Sequence, residues 1–151
     1  MCFHAAQMHV LMEYYLQEVV RALELNSPHN GGRATLVFNL AFLVNPHPNT
    51  LRRIEKIIIS SNDSTDPLIL SYGSMASTLS PELQEHAVKF LLTRLPQVNC
   101  SSLQAANVIH IVHALGNVKC YCTIHIMREL FRCPDLEVQL AAVHALRSNI
   151  H

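Results

Sequence analysis

Histidine and cysteine are the residues here with the most chemistry to offer, at ten and five in 151 residues. His110 and His113 stand at i, i+3, which puts both imidazoles on one face of a helix, and Cys122 and His125 repeat the spacing further on. Two such pairs would complete the four ligands of a tetrahedral zinc site. HExxH, in which a glutamate beside the ligands serves as a metalloprotease base, does not occur. Cys100, Cys120, Cys122 and Cys133 have histidines near them in sequence, the raw material of an activated thiolate. No glycine-rich oxyanion turn accompanies them. Cys120 and Cys122, two apart, point to opposite sides of a helix and are poorly placed to bond to each other. Asp66, Asp135, Glu82 and Glu85 read as helix-start charges, set against the positive end of the helix dipole. No catalytic, cofactor-binding or metal residue is assigned on these grounds, and the pairing of the five cysteines stays open.

Composition narrows the function classes. Half of the residues are apolar and 15% are charged, which is a folding composition rather than a disordered one. Lys+Arg and Asp+Glu balance at 11 each without forming blocks, so the basic stripe of a nucleic-acid binder is missing. No apolar run approaches the ~18–20 residues that span a bilayer. The start, Met1-Cys2-Phe3-His4-Ala5-Ala6-Gln7, lacks the basic and apolar regions of a signal peptide. The odd cysteine count without a CxxC pair fits neither a disulfide-dense mini-protein nor a zinc ribbon.

Helices must position whatever these residues do. A first helix is expected from Cys2 to Leu25, and Asn26 to Gly32, with Pro28 and paired glycines, reads as a loop. A second runs from Ala34 to Val44 and is stopped by Asn45-Pro46. Asn49 offers an N-cap to a third, with Leu51, Ile54 and Ile58 on one face. Ser60 to Thr65 reads as a polar loop. Asp66-Pro67 and Ser80-Pro81 are start signals for a fourth helix, Leu68 to Leu79, and a fifth that Pro96 closes. The sixth is expected from Ser102, capped by Ser101 or Ser102, to Gly116 in the left-handed conformation. The seventh spans Cys122 to Arg132 and the eighth Leu136 to Ser148. The eighth has Val138, Ala142 and Ala145 on one side and Leu136, Leu140 and Val143 on another. A helix sandwiched in a stack must bury two such stripes.

The chain also echoes itself. With Thr50 set on Thr123, Leu51 falls on Ile124, Ile54 on Met127, Ile57 on Leu130 and Ala41 on Ala114. Similarity between successive helical hairpins is the mark of an α-solenoid. The expected fold is therefore all-α: a two-layer right-handed superhelix of about four hairpins over residues 1–151 as one domain. Ile111, Val112, Leu115, Met127, Leu130, Ala142 and Leu146 should form the core between the last two hairpins. Gly73, inside a helix, marks a close approach of a neighbour. Tyr14-Tyr15 is expected to pack within the terminal hairpin, or else to form an exposed anchor. His113 and His144, beside alanine and leucine, are the histidines expected to be buried neutral.

Three phrases, Leu70-Ser71-Tyr72-Gly73-Ser74-Met75, Ala114-Leu115-Gly116-Asn117 and Val138 to Arg147, resemble the superhelical domain of the large lipid transfer proteins. That family comprises vitellogenins, apolipophorins, apolipoprotein B and microsomal triglyceride transfer protein. The likeness covers roughly residues 33 to 151. Two features depart from the pattern: Val118-Lys119-Cys120-Tyr121 replaces a turn that often carries another Gly and a His, and the family's β-barrel and lipid-facing sheets are missing. The resemblance implies a non-enzymatic scaffold piece of a secreted lipid carrier. Lipid would bind through the absent sheets, and the open solenoid ends would meet the carrier's other domains or a protein partner. No nucleic acid, membrane span or cofactor is expected. The alternative is a HEAT- or armadillo-like adaptor that binds proteins on its concave face.

Overall fold

A computed structural model describes residues 2–25, 31–61, 66–95 and 105–149. The described chain is all-α, with no strand. Eight helices follow one another: α1 Cys2–Leu25, α2 Gly31–Leu40, α3 Pro48–Ser61, α4 Pro67–Ala76, α5 Pro81–Arg94, α6 Ala105–Val118, α7 Ile124–Leu130 and α8 Leu136–Asn149. A 3₁₀ turn, Tyr121–Thr123, precedes α7.

Proline opens three of the helices, where its missing N–H is no loss and its fixed φ suits the first turn. At α4 the Asp66 side chain accepts from the Leu68 N–H, and at α8 Asp135 accepts from Glu137 and Val138. Both caps agree with the expected start signals. Ser80 makes no side-chain cap at α5. The cap of α3 is His47 rather than Asn49: its Nδ1 accepts from the Asn49 N–H, and its carbonyl from Thr50 and Leu51. Leu95, the residue before Pro96, is extended and ends α5, as the crowding of a following proline dictates.

Several ends differ from expectation. Gly31 and Gly32 begin α2 instead of lying in the loop, and α2 stops at Leu40, short of Val44. Asn45 just beyond it takes a positive φ of 52°, and its N–H donates to the Thr78 hydroxyl. Ser60 and Ser61 complete α3. The fourth helix stops at Ala76, and hydrogen-bonded turns carry the chain through Leu79. Gly116 does not end α6: the helix runs on to Val118, and Lys119, with φ 58°, takes the left-handed position. The seventh helix is shortened to Leu130, its start tightened into the 3₁₀ turn. The expected Ser101 or Ser102 cap, Pro96 and the core of the Asn26–Gly32 loop lie outside the described residues.

The even-numbered helices form one continuous row, α2 on α4, α4 on α6 and α6 on α8. Each odd-numbered helix packs on an even neighbour: α1 on α2, α3 on α4, α5 on α4 and α6, α7 on α8. Two glycines let the row close up. A Cβ on Gly73 of α4 would lie 2.3 Å from the Ala114 carbonyl oxygen of α6, and one on Gly116 of α6 would lie 2.7 Å from Ala145 Cα of α8. Gly73 is thus the close approach expected of it, and Gly116 is a second. Ile111, Val112, Leu115, Met127, Leu130 and Ala142 are buried as expected, whereas Leu146 is only partly so. The echo of Thr50 in Thr123 has a physical counterpart, since both are fully buried, as are Ile54 and its partner Met127.

Candidate functional site

The two zinc-spaced pairs do not meet as one site. His110 on α6 holds its Nδ1 3.1 Å from the Ala106 carbonyl of its own helix. Half-buried His113, on the same helix, is held below the ordinary imidazole pKa by burial first, and then by the neighbouring charges of His144 and His110. His144 itself is exposed, contrary to the burial expected for it. On the far side of the turn, Cys122 is disulfide-bonded to Cys120, so its sulfur is not free to ligate, and His125 is exposed. Among the described residues no group of three or more His, Cys, Asp and Glu is arranged to hold a metal ion.

The Cys120–Cys122 bond corrects the expectation that these residues point apart. That argument assumed a helix. Cys120 is instead extended (φ −98°, ψ 126°) and Cys122 sits in the 3₁₀ turn, which brings the Cα atoms to 5.2 Å. Cys133 is disulfide-bonded as well.

Two buried polar clusters went unseen in the sequence. Arg33 of α2 makes a bidentate pair with Asp66 at 3.2 and 2.7 Å, both side chains being almost fully buried. Asp66 thereby serves α4 as a cap and α2 as a counter-ion, which a helix-start reading captures only in part. Glu55 of α3 lies on the apolar face with Leu51 and Ile58. It accepts from the Tyr72 hydroxyl of α4 at 2.7 Å and lies 3.0 Å from His86 Nε2 of α5. Burial, then the hydrogen bond to Glu55, push the Tyr72 phenol far above its ordinary range, so it remains a neutral donor. A carboxylate holding an imidazole is half of a general-base couple. Here its other partner is a buried phenol, and the cluster ties together three consecutive helices. The only sequence signal was Glu55 itself, an acid at i+4 from Leu51 on the apolar stripe.

Two of the open clefts among the described residues flank the row. One, of about 280 Å³, lies between α1, α2 and α3 and is lined by Glu24, Arg33, Arg53, Lys56 and the hydroxyls of Ser60 and Ser61. Its charges are largely internal: Arg53 pairs with Glu24 at 2.8 Å, a hydrogen bond that holds the Glu24 carboxyl below its usual range. The other, of about 270 Å³, runs across the C-terminal ends of α2, α4, α6 and α8, past Phe42, Val44, Ser77, Thr78, Asn117 and Lys119. Glu55, Tyr72 and His86 line neither.

Apolar surface stands out at the two ends of the row. Tyr14 and Tyr15 are exposed, the latter accepting from Asn39 through its hydroxyl, so this pair is not packed away in the terminal hairpin. Phe38 and Phe42 are exposed and packed edge to face on each other, and Leu136, Leu140 and Val143 are exposed on α8. No described helix is long and apolar enough to cross a membrane. No protein-family model, curated protein or solved structure matches this chain.

Proposed function

We propose that this protein is a helical scaffold segment in lipid transport. In this reading the eight helices form a right-handed two-layer α-solenoid of about four hairpins. The solenoid braces the lipid-holding sheets of a secreted carrier similar to vitellogenin, apolipophorin, apolipoprotein B and microsomal triglyceride transfer protein, and performs no catalysis. The observation that carries the reading is the row α2–α4–α6–α8, closed up by Gly73 on Ala114 and Gly116 on Ala145. The three phrases on which the family resemblance rests fall on α4, α6 and α8, the helices of those two contacts. The polar clusters support a scaffold too, since each spends its charges joining helices.

The coding sequence on either side provides the test. A barrel-forming stretch before residue 1 and strand-rich sheets after residue 151 are expected; flanks with neither would overturn the proposal. A second reading, a protein-binding adaptor of HEAT or armadillo type, is favoured by the open cleft across the C-terminal helix ends, with exposed Phe42 and Val44 at its rim. A lipid-free monomer with a defined protein partner in that cleft would decide for it.

A further inference from the structure

The turn between α6 and α7 holds a bond that the scaffold does not need. Cys120 and Cys122 are disulfide-bonded across one residue, Tyr121. The stabilisation a disulfide gives by restricting the unfolded chain grows with the loop it closes, and a sequence separation of 2 leaves almost nothing to restrict. The bond joins no two elements either, since both cysteines lie in the same turn. Hydrogen bonds hold that turn without it. The Cys120 carbonyl accepts from the Thr123 N–H at 3.1 Å and from the Thr123 hydroxyl at 2.9 Å. The Asn149 amide of α8 donates to the same hydroxyl at 3.1 Å, which fixes the turn to the buried side of α8. The Cys120–Cys122 bond is thus free to open without undoing its surroundings.

Its surroundings suit exchange with an outside thiol. Both cysteines are half-buried, while Lys119, Tyr121 and His125 around them in the chain are exposed, Tyr121 at 73%. The Cys120 sulfur accepts from the Cys122 N–H at 3.3 Å. When the bond opens, this N–H is a donor already in place for a Cys120 thiolate, and Lys119 puts a cation one residue away. Both a hydrogen-bond donor and a nearby cation favour the thiolate form. A more stable thiolate is the faster leaving group in thiol–disulfide exchange. Cys120 is accordingly the sulfur that leaves, and Cys122 the one attacked.

We propose that Cys120–Cys122 is a thiol–disulfide exchange site that accepts two electrons from an exposed dithiol of a peptide or protein. One substrate thiolate attacks the Cys122 sulfur; the new S–S bond forms as the Cys120–Cys122 bond breaks, and Cys120 leaves as the thiolate. The second substrate thiolate then attacks the substrate sulfur of this mixed disulfide. That step closes the substrate disulfide and releases Cys122 as a thiolate. The two protons lost by the substrate thiols pass through water to Cys120 and Cys122. The dithiol is oxidised and the chain's disulfide reduced, so each chain acts once until a small-molecule disulfide resets it. The inference rests on this turn alone and is independent of the lipid-carrier reading.

A synthetic peptide dithiol, incubated at neutral pH with an equimolar amount of the oxidised 151-residue chain, tests it through acid quenching and mass spectrometry. One peptide disulfide should form per chain, with Cys120 and Cys122 appearing as thiols. The reaction should run about tenfold faster, or more, than with glutathione disulfide at the same concentration, because of the stabilised leaving group. The double variant Cys120→Ala/Cys122→Ala should oxidise no peptide on that timescale. Wild-type chain reduced at the turn and blocked with iodoacetamide takes its place should the variant lose its helical circular dichroism. With glutathione as a single thiol, the trapped mixed disulfide should map to Cys122. A rate no greater than that of glutathione disulfide overturns the proposal, as does oxidation that persists in the folded control or glutathione found on Cys120 instead. Each of these results leaves the lipid-carrier reading standing, because that reading is decided by the flanking sequence.

Discussion

Asp66 does with one carboxylate what usually takes two side chains: it caps α4 through Leu68 and neutralises buried Arg33 of α2. Removing one member of a buried pair strands the other charge, which costs about 3–5 kcal/mol. Asp66→Ala should lower the unfolding free energy by that amount in urea. The double variant Arg33→Met/Asp66→Leu should lose much less, roughly the ~1 kcal/mol of the missing cap. Equal losses in the two would mean that the pair contributes nothing beyond capping. In the sequence the cap was legible, because Asp-Pro before an apolar run is a local signal. The ion pair was not, since Arg33 lies 33 positions away and only the packing of α2 on α4 joins them.

His113 sets a pH dependence whose sign follows from its depressed pKa. The folded chain holds this imidazole neutral, so the unfolded state binds the proton more readily. Stability is complete above the unfolded pKa of about 6.5, falls as pH drops below it, and stops falling beneath the folded pKa. The urea midpoint of the wild type should therefore fall more between about pH 7.5 and about pH 5.5 than that of His113→Gln. Equal falls would assign the acid sensitivity to other groups. His110 and His144 were legible as neighbours of His113 only in part: the first shares its helix, the second reaches it across the α6–α8 contact.

At the scale of the helix, glycine carries two meanings that sequence alone does not separate. One is the left-handed end of a helix, the other a flat spot where a neighbour comes close. Gly73, well inside its helix, could only be the second. Gly116, followed by Asn117 and a turn, carried the signature of the first, yet α6 continues and Lys119 supplies the positive φ. What decided the matter is Ala145, on a helix the local pattern does not include. Both positions make the same prediction. An added methyl gains up to about 1 kcal/mol of helix propensity but meets backbone or Cβ atoms at under 3 Å, an overpacking cost of about 1–3 kcal/mol. Gly73→Ala and Gly116→Ala should both destabilise. Gly32→Ala, with nothing within 4 Å of the added carbon, should be neutral or slightly stabilising. Denaturant midpoints for the three variants check the pattern, and a stabilised Gly73→Ala would contradict the close approach of α4 and α6. The helices themselves were legible from apolar period and proline placement. Their ends shifted by a few residues: beyond α2 the Asn45 N–H is taken by Thr78 of another element, and at α3 His47 caps the helix locally in place of Asn49.

Among the described residues most of the buried apolar surface joins helix to helix, and the two clefts between them are open and partly polar. In the proposed reading a brace of this construction encloses no lipid by itself. In the proposed carrier the lipid belongs to the sheets that the helices support. The lipid-to-protein ratio, measured by mass spectrometry after detergent-free isolation, puts that division of labour to the test. The account predicts lipid on the full gene product taken from its native source, and no stoichiometric triglyceride or phospholipid on residues 1–151 alone after incubation with an emulsion. Stoichiometric lipid on the isolated 151 residues, or none on the native product, would contradict it.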